Sequence, residues 1–423
     1  MAGKTISEKI LSEKSSQNAY AGDLVICDVD VAMGTDGSVP MAIDFFEQMG
    51  GTRVFDPEKI VFVLDHYDCC LHPDSGNLHL RIKDFASKHG ITVYDAGAGI
   101  SHQIIVESGR TGPGRLLVGA DSHSVTGGAL NAFATGIGSS DLAAIMISGN
   151  IWLKVPQSIK VILDGRYAAG VYAKDVALAL VRAIGSDGGS YMTLEFQGPA
   201  AADMSVEDRL VLSNMAVEMG AKAGLFRADE KTRNYLAPRA TGEFTAVDAD
   251  SDAGYLDQIT LNLSELAPLI ACPHTVDNVV GICEAEGTPI QMVYLGTCTG
   301  GRISDFHQAL AVLETHPRIA PGVQLLVTPA SKEVEEELRR DGTLDKMSGL
   351  GAIITPPGCG SCCGTAGPVP SDGVNVLSTA NRNFKARMGN AKAAIFLGSP
   401  ASCAAAAITG RITDPRLLMG VSR

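Results

Sequence analysis

No stretch of about 18 consecutive apolar residues occurs in this chain, so no membrane-spanning helix is expected. Positive charge is also in short supply: 34 Lys and Arg stand against 47 Asp and Glu, a net charge of −13. An acidic surface repels phosphate backbones, which makes nucleic-acid binding a poor default and leaves room only for a local basic pocket. The opening MAGKTISEKILSEKSSQ has no apolar signal core and reads as a polar helix, so the cytoplasm is the expected compartment. Internal repeats and low-complexity segments are absent. Aromatics are sparse at 5%, whereas glycine is abundant at 47 residues. That balance suits a protein whose loops carry chemistry on tight glycine turns.

Hydrophobic residues make up 45% of the 423, with mean hydropathy +0.14. A chain of this size exceeds one hydrophobic core, and roughly two to four domains are expected. Boundaries are placed to give domains over 1–158, 159–275 and 276–423. The ten cysteines, in a long chain without a secretion signal, read as thiols or metal ligands and not as a disulfide framework.

A strand-then-loop pattern recurs. KIVFVLDH (59–66) ends in Asp65-His66 and RLLVGADSH (115–123) in Asp121-Ser122-His123, while QMVYLGTC (291–298) and GAIITPPGC (351–359) end in Cys298 and Cys359. Near-continuous apolar runs predict parallel strands covered on both faces, and α/β sheets present their ligands beyond the carboxyl ends of such strands. The fold class is therefore α/β. SVEDRLVLSNMAVEMGAKAG (205–224) predicts a helix with Asn214 and Glu218 on one face, and KEVEEELRRDG (332–342) a solvated helix laced with Glu-to-Arg pairs.

Cys359-Gly-Ser-Cys362 lies in a glycine-rich turn that can aim two sulfurs at one metal centre. Taken alone it is equally a zinc knuckle, a redox dithiol or chance, although no second zinc pair and no thioredoxin-like context accompany it. Cys298 in GTCTGG adds a third thiol. Three thiolates on a cubane leave one iron open to act as a Lewis acid. Cys69, Cys70 and Cys363 compete as ligands, with a role as small buried hydrophobes set against them. The acid–base candidates are His66 beside Asp65, His102 in GAGISHQI, and Asp121 with His123; a neighbouring carboxylate raises a histidine toward an acid able to protonate a leaving hydroxyl. Arg382 and Arg387 in ANRNFKAR are cations that can fork onto carboxylates, or simply surface arginines.

Together GAGISHQI, VGADSH, TGGALNAFATGIGSSDLA, SNMAVEMGA, LNLSEL, GTCTGG, PPGCGSCCG and ANRNFKARMG resemble the aconitase superfamily, in its order and nearly end to end. The length is similar to the large subunits of its two-subunit hydratases, isopropylmalate dehydratase and homoaconitase among them. The resemblance implies three α/β domains around a 4Fe-4S cluster held by Cys298, Cys359 and Cys362. A fourth, swivelling domain would come from a separate small subunit that also brings a serine base. It further implies the pairs Asp65–His66, Asp121–His102 and Glu218–His123, with Asn214 and Asn381 close to the cluster. Thr35, Ser122, Arg382 and Arg387 are the implied contacts of a small diacid substrate, and the implied chemistry is dehydration and rehydration of a hydroxy-diacid.

Four features depart from the pattern. Gly300 replaces an asparagine after Cys298-Thr299, and Ala386 replaces a glycine. Thr35 stands for Gln, His or Asn, and HYDCCLHP is unusual for an isopropylmalate enzyme. They bear on the substrate: the length makes isopropylmalate dehydratase the default reading, and homoaconitase or a maleate, citraconate or dimethylmaleate hydratase competes with it. A cluster-free RNA-binding regulator on the same scaffold is disfavoured by the acidic charge, and an electron carrier by the three-cysteine set.

Overall fold

All four runs with Asp-His or Cys endings form parallel strands, and Ile60–Val63, Leu116–Gly119 and Met292–Leu295 are buried throughout as an apolar segment inside an α/β layer requires. The fourth, Ile353–Ile354, departs from that expectation: it is a two-residue edge strand with Ile353 47% exposed. The computed structural model describes residues 3–67 and 72–421. Cys69 and Cys70, and with them the centre of HYDCCLHP, lie outside the described residues. The chain divides into two compact units.

The first unit comprises Met1–Ala96, Ser101–Asp164 and Asp187–Leu261. Its five-stranded parallel sheet runs in the order Thr92–Tyr94, Ile60–Val63, Val31–Thr35, Leu116–Gly119, Phe133–Gly136. Ile60–Val63 and Leu116–Gly119 are buried throughout. Register pairs Thr35 with Val63 and Met33 with Gly119, so Asp36, Asp65 and Asp121 leave the sheet at the same edge. The helices Val39–Gln48 and Pro73–His89 pack through Phe46 and Phe85, whose rings meet edge-on at 5.3 Å. Each such ring removed from water contributes roughly 2–3 kcal/mol. A four-stranded sheet, ordered Ala223–Phe226, Thr193–Gln197, Ser158–Asp164, Asp257–Asn262, completes the unit's main layers. The opening helix, Ile6–Ser15, has a Thr5–Glu8 capping box and buries Ile6, Ile10 and Leu11, so it is amphipathic and not merely polar.

The second unit comprises Gly97–Ile100, Gly165–Ser186 and Asn262–Arg423. Its seven-stranded sheet is ordered Val279–Gly281, Leu269–Ala271, Ala394–Leu397, Asn375–Ser378, Met292–Leu295, Gln324–Val327, Ile353–Ile354. The last five are mutually parallel and the first two pair antiparallel. Beside it the helix Pro400–Thr409, capped by Ser399, buries every residue from Pro400 to Ile408; its run of alanines lets Ile303–Leu313 approach closely.

One helix is corrected. The segment 205–224 holds an α-helix only over Val206–Met215, followed by a 3-10 turn, Ala216–Met219, and the strand Ala223–Phe226. Gly220, at φ 83, ends it. Glu218 therefore does not continue the helical face of Asn214. The five-stranded sheet lies within 1–158, whereas the seven-stranded sheet takes Leu269–Ala271 from before residue 276. The division into three domains remains our proposal. No helix among the described residues is long and apolar enough to cross a membrane.

Candidate active site

In the first unit, three histidines and three carboxylates meet beyond the strand ends. Asp65, fully buried, accepts from the Ser101 amide through Oδ2 at 2.7 Å, and its Oδ1 lies 2.8 Å from His66 Nδ1. That bond assigns Nδ1 to Asp65 and turns Nε2 toward Asp121. His102 sits on the helix Ser101–Glu107, with Nε2 2.9 Å from Asp121 Oδ1. Its Nδ1 is buried without a hydrogen-bond partner. Asp121 caps the 3-10 turn Ser122–Leu130 by accepting from the His123 amide at 2.8 Å, and its Oδ2 is 3.6 Å from His66 Nε2. His123 Nε2 is 2.7 Å from Glu218 Oε1, and its Nδ1 is 3.4 Å from Ser122 Oγ. Burial alone would raise the Asp121 pKa, but His102 and His123 hold it well below the ordinary carboxylate range.

Asn214 supports this group from behind. It is fully buried and donates to Thr126 Oγ1 at 2.8 Å, while that hydroxyl donates to the His123 carbonyl at 2.7 Å. Thr35 is buried too, with its hydroxyl 3.3 Å from Ser38 Oγ.

The thiols of interest belong to the second unit. Cys298 follows the strand Met292–Leu295 through Gly296 and Thr297, at φ 158 and 72, and Asn381 Nδ2 donates to its sulfur at 3.3 Å. Cys359 precedes the turn Gly360–Cys362 and Cys362 is its last residue, where Arg387 Nη2 donates to Cys362 Sγ at 3.3 Å. Gly360 has φ 55, and a Cβ there would lie 2.4 Å from the Tyr294 hydroxyl, which donates to the Cys359 carbonyl at 3.0 Å. Only glycine permits this turn. Hydrogen-bonding contact with the Cys362 and Cys363 thiols, then burial, pushes the Cys359 thiol well above its usual pKa. Cys298, Cys359 and Cys362 are 5%, 8% and 2% exposed.

These residues fit an iron–sulfur group. The amide of Asn381 and the guanidinium of Arg387 point N–H bonds at sulfur, an arrangement that stabilises thiolate and hence ligated sulfur. Arg387 itself is held above its ordinary pKa: burial would lower it, and the Cys362 sulfur outweighs that cost. Its Nε is buried without a hydrogen-bond partner. Arg382 is half-buried.

Lys174 was missed in the sequence. It is fully buried on the helix Ala173–Ile184, and its Nζ donates to the carbonyls of Ala380 at 2.6 Å and Thr379 at 3.0 Å and to Thr299 Oγ1 at 3.2 Å. It thereby ties the Cys298 loop to the segment bearing Asn381. Nothing in the apolar pattern of AKDVALALV marks that lysine as buried. Asp36 and His79 were missed as well, though Asp36 follows a buried strand end just as Asp65 does.

The chain matches the Aconitase family (aconitate hydratase) over residues 8–410. It belongs to that family. Among relatives, the 3-isopropylmalate dehydratase large subunit 1 of Thermotoga maritima is 47% identical over 417 residues, covering 98% of this chain and 99% of that one. The large subunit 1 of the same name from Methanopyrus kandleri is 45% identical, with the same coverage of both chains. A probable methanogen homoaconitase large subunit of Methanosarcina mazei is 42% identical, covering 93% of this chain and all of the relative. Among solved structures, aconitase X of Thermococcus kodakaraensis in its holo-form superimposes with TM-score 0.52 at 12% identity, over 91% of this chain and 93% of that one. That likeness establishes the shared aconitase-type α/β fold.

Two departures from the aconitase pattern have structural reasons. A Cβ on Gly300 would lie 2.2 Å from Thr379 Cβ, so the loop closes against Thr379 only because the side chain is absent. Ala386 adopts φ 69 and is exposed. In this left-handed region a Cβ costs roughly 1 kcal/mol. Ala386→Gly is therefore expected to raise stability by up to about 1 kcal/mol, the lost strain outweighing the added freedom of the unfolded chain. Thermal unfolding measures this, and a lower midpoint would show that the Ala386 methyl contributes more than its strain costs.

Proposed function

We propose that this chain is the iron–sulfur large subunit of a 3-isopropylmalate dehydratase, a hydro-lyase that interconverts 2- and 3-isopropylmalate in leucine biosynthesis. The observation that carries the reading is 47% identity across essentially the whole of both chains with a large subunit of that name. It implies a separate small subunit, for which we infer the serine base, and a cytoplasmic setting. Cys298, Cys359 and Cys362 would hold a 4Fe-4S cluster, and Asn214 and Asn381 would support its surroundings. When bound, that group supplies an open iron as Lewis acid for the departing hydroxyl.

The chain's own residues do the remaining work. His66, whose imidazolium is stabilised by Asp65 at Nδ1, delivers its Nε2 proton to the leaving hydroxyl. Asp121 orients His102, and Glu218 orients His123. Arg382 and Arg387 bind the substrate carboxylates, while Thr35 and Ser122 line the substrate's remaining polar contacts. Homoaconitase is the second reading, favoured by the Methanosarcina mazei relative. Citraconate, dimethylmaleate and maleate hydration remain alternatives that Gly300 and Thr35 leave open.

The test is anaerobic turnover by the cluster-replete chain with and without its small subunit, on isopropylmalate, homoaconitate, citraconate, dimethylmaleate and maleate. The pair is expected to prefer isopropylmalate, and the isolated chain to be inactive. Preference for another diacid would replace the substrate. Equal activity without the partner would place the base within these residues.

A further inference from the structure

We propose that Asp36 and His79 form a positioning pair that fixes the backbone of the His66 loop. The inference rests on the reading of His66 as the proton donor and adds residues to which neither the sequence motifs nor the proposed mechanism assigns a role.

Asp36 is the first residue beyond the strand Val31–Thr35, and its amide donates to the Val63 carbonyl at 3.1 Å, extending the parallel register by one step. Its carboxylate is 1% exposed and accepts three hydrogen bonds. Oδ1 takes the His66 amide at 2.9 Å. Oδ2 takes the Tyr67 amide at 2.9 Å and lies 2.9 Å from His79 Nε2. A carboxylate only accepts, so that nitrogen carries the proton. Burial would raise the Asp36 pKa, but the His79 bond, the charge of His66 and the two amides hold it below its ordinary value.

Successive amides bonded to one carboxylate leave the backbone at His66 and Tyr67 little rotational freedom. His79 lies within the helix Pro73–His89, twelve positions after Tyr67 in sequence, and is itself 6% exposed. One buried carboxylate thus anchors the chain as it leaves His66 and the helix to which it leads. Asp36 Oδ1 is also 3.8 Å from His66 Nδ1, behind the 2.8 Å bond to Asp65. The imidazole consequently has its Nδ1 edge against two carboxylates, with Nε2 turned to the side where Asp121 lies. Neither Asp36 nor His79 is placed to exchange a proton with substrate in this scheme. Their work is orientation, and a displacement of about 1 Å in a reacting group costs on the order of 100-fold in rate.

The experiment compares His79→Ala, His79→Gln and Asp36→Asn as anaerobic, cluster-replete complexes with the small subunit, measuring kcat, KM and iron content. His79→Ala and Asp36→Asn are expected to lose about 100-fold in kcat with KM within about twofold. Iron content should be unchanged. In Asp36→Asn an amide group replaces one acceptor oxygen and faces N–H donors, so the clamp fails although the shape is kept. His79→Gln keeps an N–H donor and is expected to recover kcat to within about fivefold of the unsubstituted enzyme. If His79→Ala does not fold, the Asn and Gln variants decide. Unaltered kcat in Asp36→Asn, or equal losses in His79→Gln and Asp36→Asn, overturns the proposal. Failure of the unsubstituted complex to hydrate any diacid would instead overturn the functional reading on which it rests.

Discussion

Replacing Cys298, Cys359 or Cys362 by serine is expected to abolish both iron binding and turnover, whereas Cys363→Ser keeps its iron. A serine hydroxyl is not ionised near neutral pH and is a poor ligand for iron, so loss of one thiolate among three removes the cluster. Cys363 adjoins the same turn and its thiol contacts that of Cys359, so adjacency alone does not separate it from Cys362. Its surroundings do. Cys362 is 2% exposed and receives the Arg387 guanidinium, while Cys363 is only half-buried and has the Thr365 hydroxyl 2.8 Å from its sulfur. A hydroxyl partner suits a neutral thiol, and a cation suits a thiolate. Anaerobic preparations should carry about four irons per chain in the unsubstituted protein and in Cys363→Ser. The other three variants should carry close to none. Full iron in Cys298→Ser together with loss in Cys363→Ser would reassign the ligand set.

What the sequence disclosed, and what it withheld, follows from how far each interaction reaches along the chain. Strand ends were legible because burial on both faces demands an unbroken apolar run, and Asp65, Asp121 and Cys298 each follow one, whereas the run before Cys359 forms only the short edge strand Ile353–Ile354. Local capping was equally legible at Ser205, whose hydroxyl accepts from the Asp208 amide at 3.1 Å while Asp208 returns to the Ser205 amide. The end of that helix was not. Gly224 lies so close to Ala216 that an added Cβ would come within 2.8 Å of its methyl, and the chain tightens into a 3-10 turn there. A helical spacing of four residues therefore said nothing reliable about Glu218, which reaches His123 across 95 positions. Composition and periodicity describe a residue's own element and carry no record of such partners. The same limit hid Lys174, whose bonds lead to residues more than 100 positions away. It hid His79, which an exposed-looking helix gave no reason to single out.

Asp121→Asn is expected to lower kcat about 1000-fold while leaving the iron content intact, a combination that separates acid–base damage from cluster loss. Asp121 is the carboxylate shared by all three histidines: Oδ1 lies 2.9 Å from His102 Nε2 and 3.6 Å from His123 Nδ1, and Oδ2 3.6 Å from His66 Nε2. Asparagine preserves shape and volume but removes the charge and presents an N–H donor to a cluster of nitrogens. Whichever way the amide turns, either His102 or His66 faces a donor where it had an acceptor. An imidazolium at His102 also loses its nearest compensating charge, while His66 and His123 keep Asp65 and Glu218. The pH dependence fixes the sign. Asp121 is held well below its unfolded pKa by the histidines, so its contribution to stability is present above about pH 4 and is lost only as acid reaches the depressed folded pKa. At neutral pH Asp121 therefore stays ionised. A loss smaller than about tenfold would show that the histidines work independently of this carboxylate.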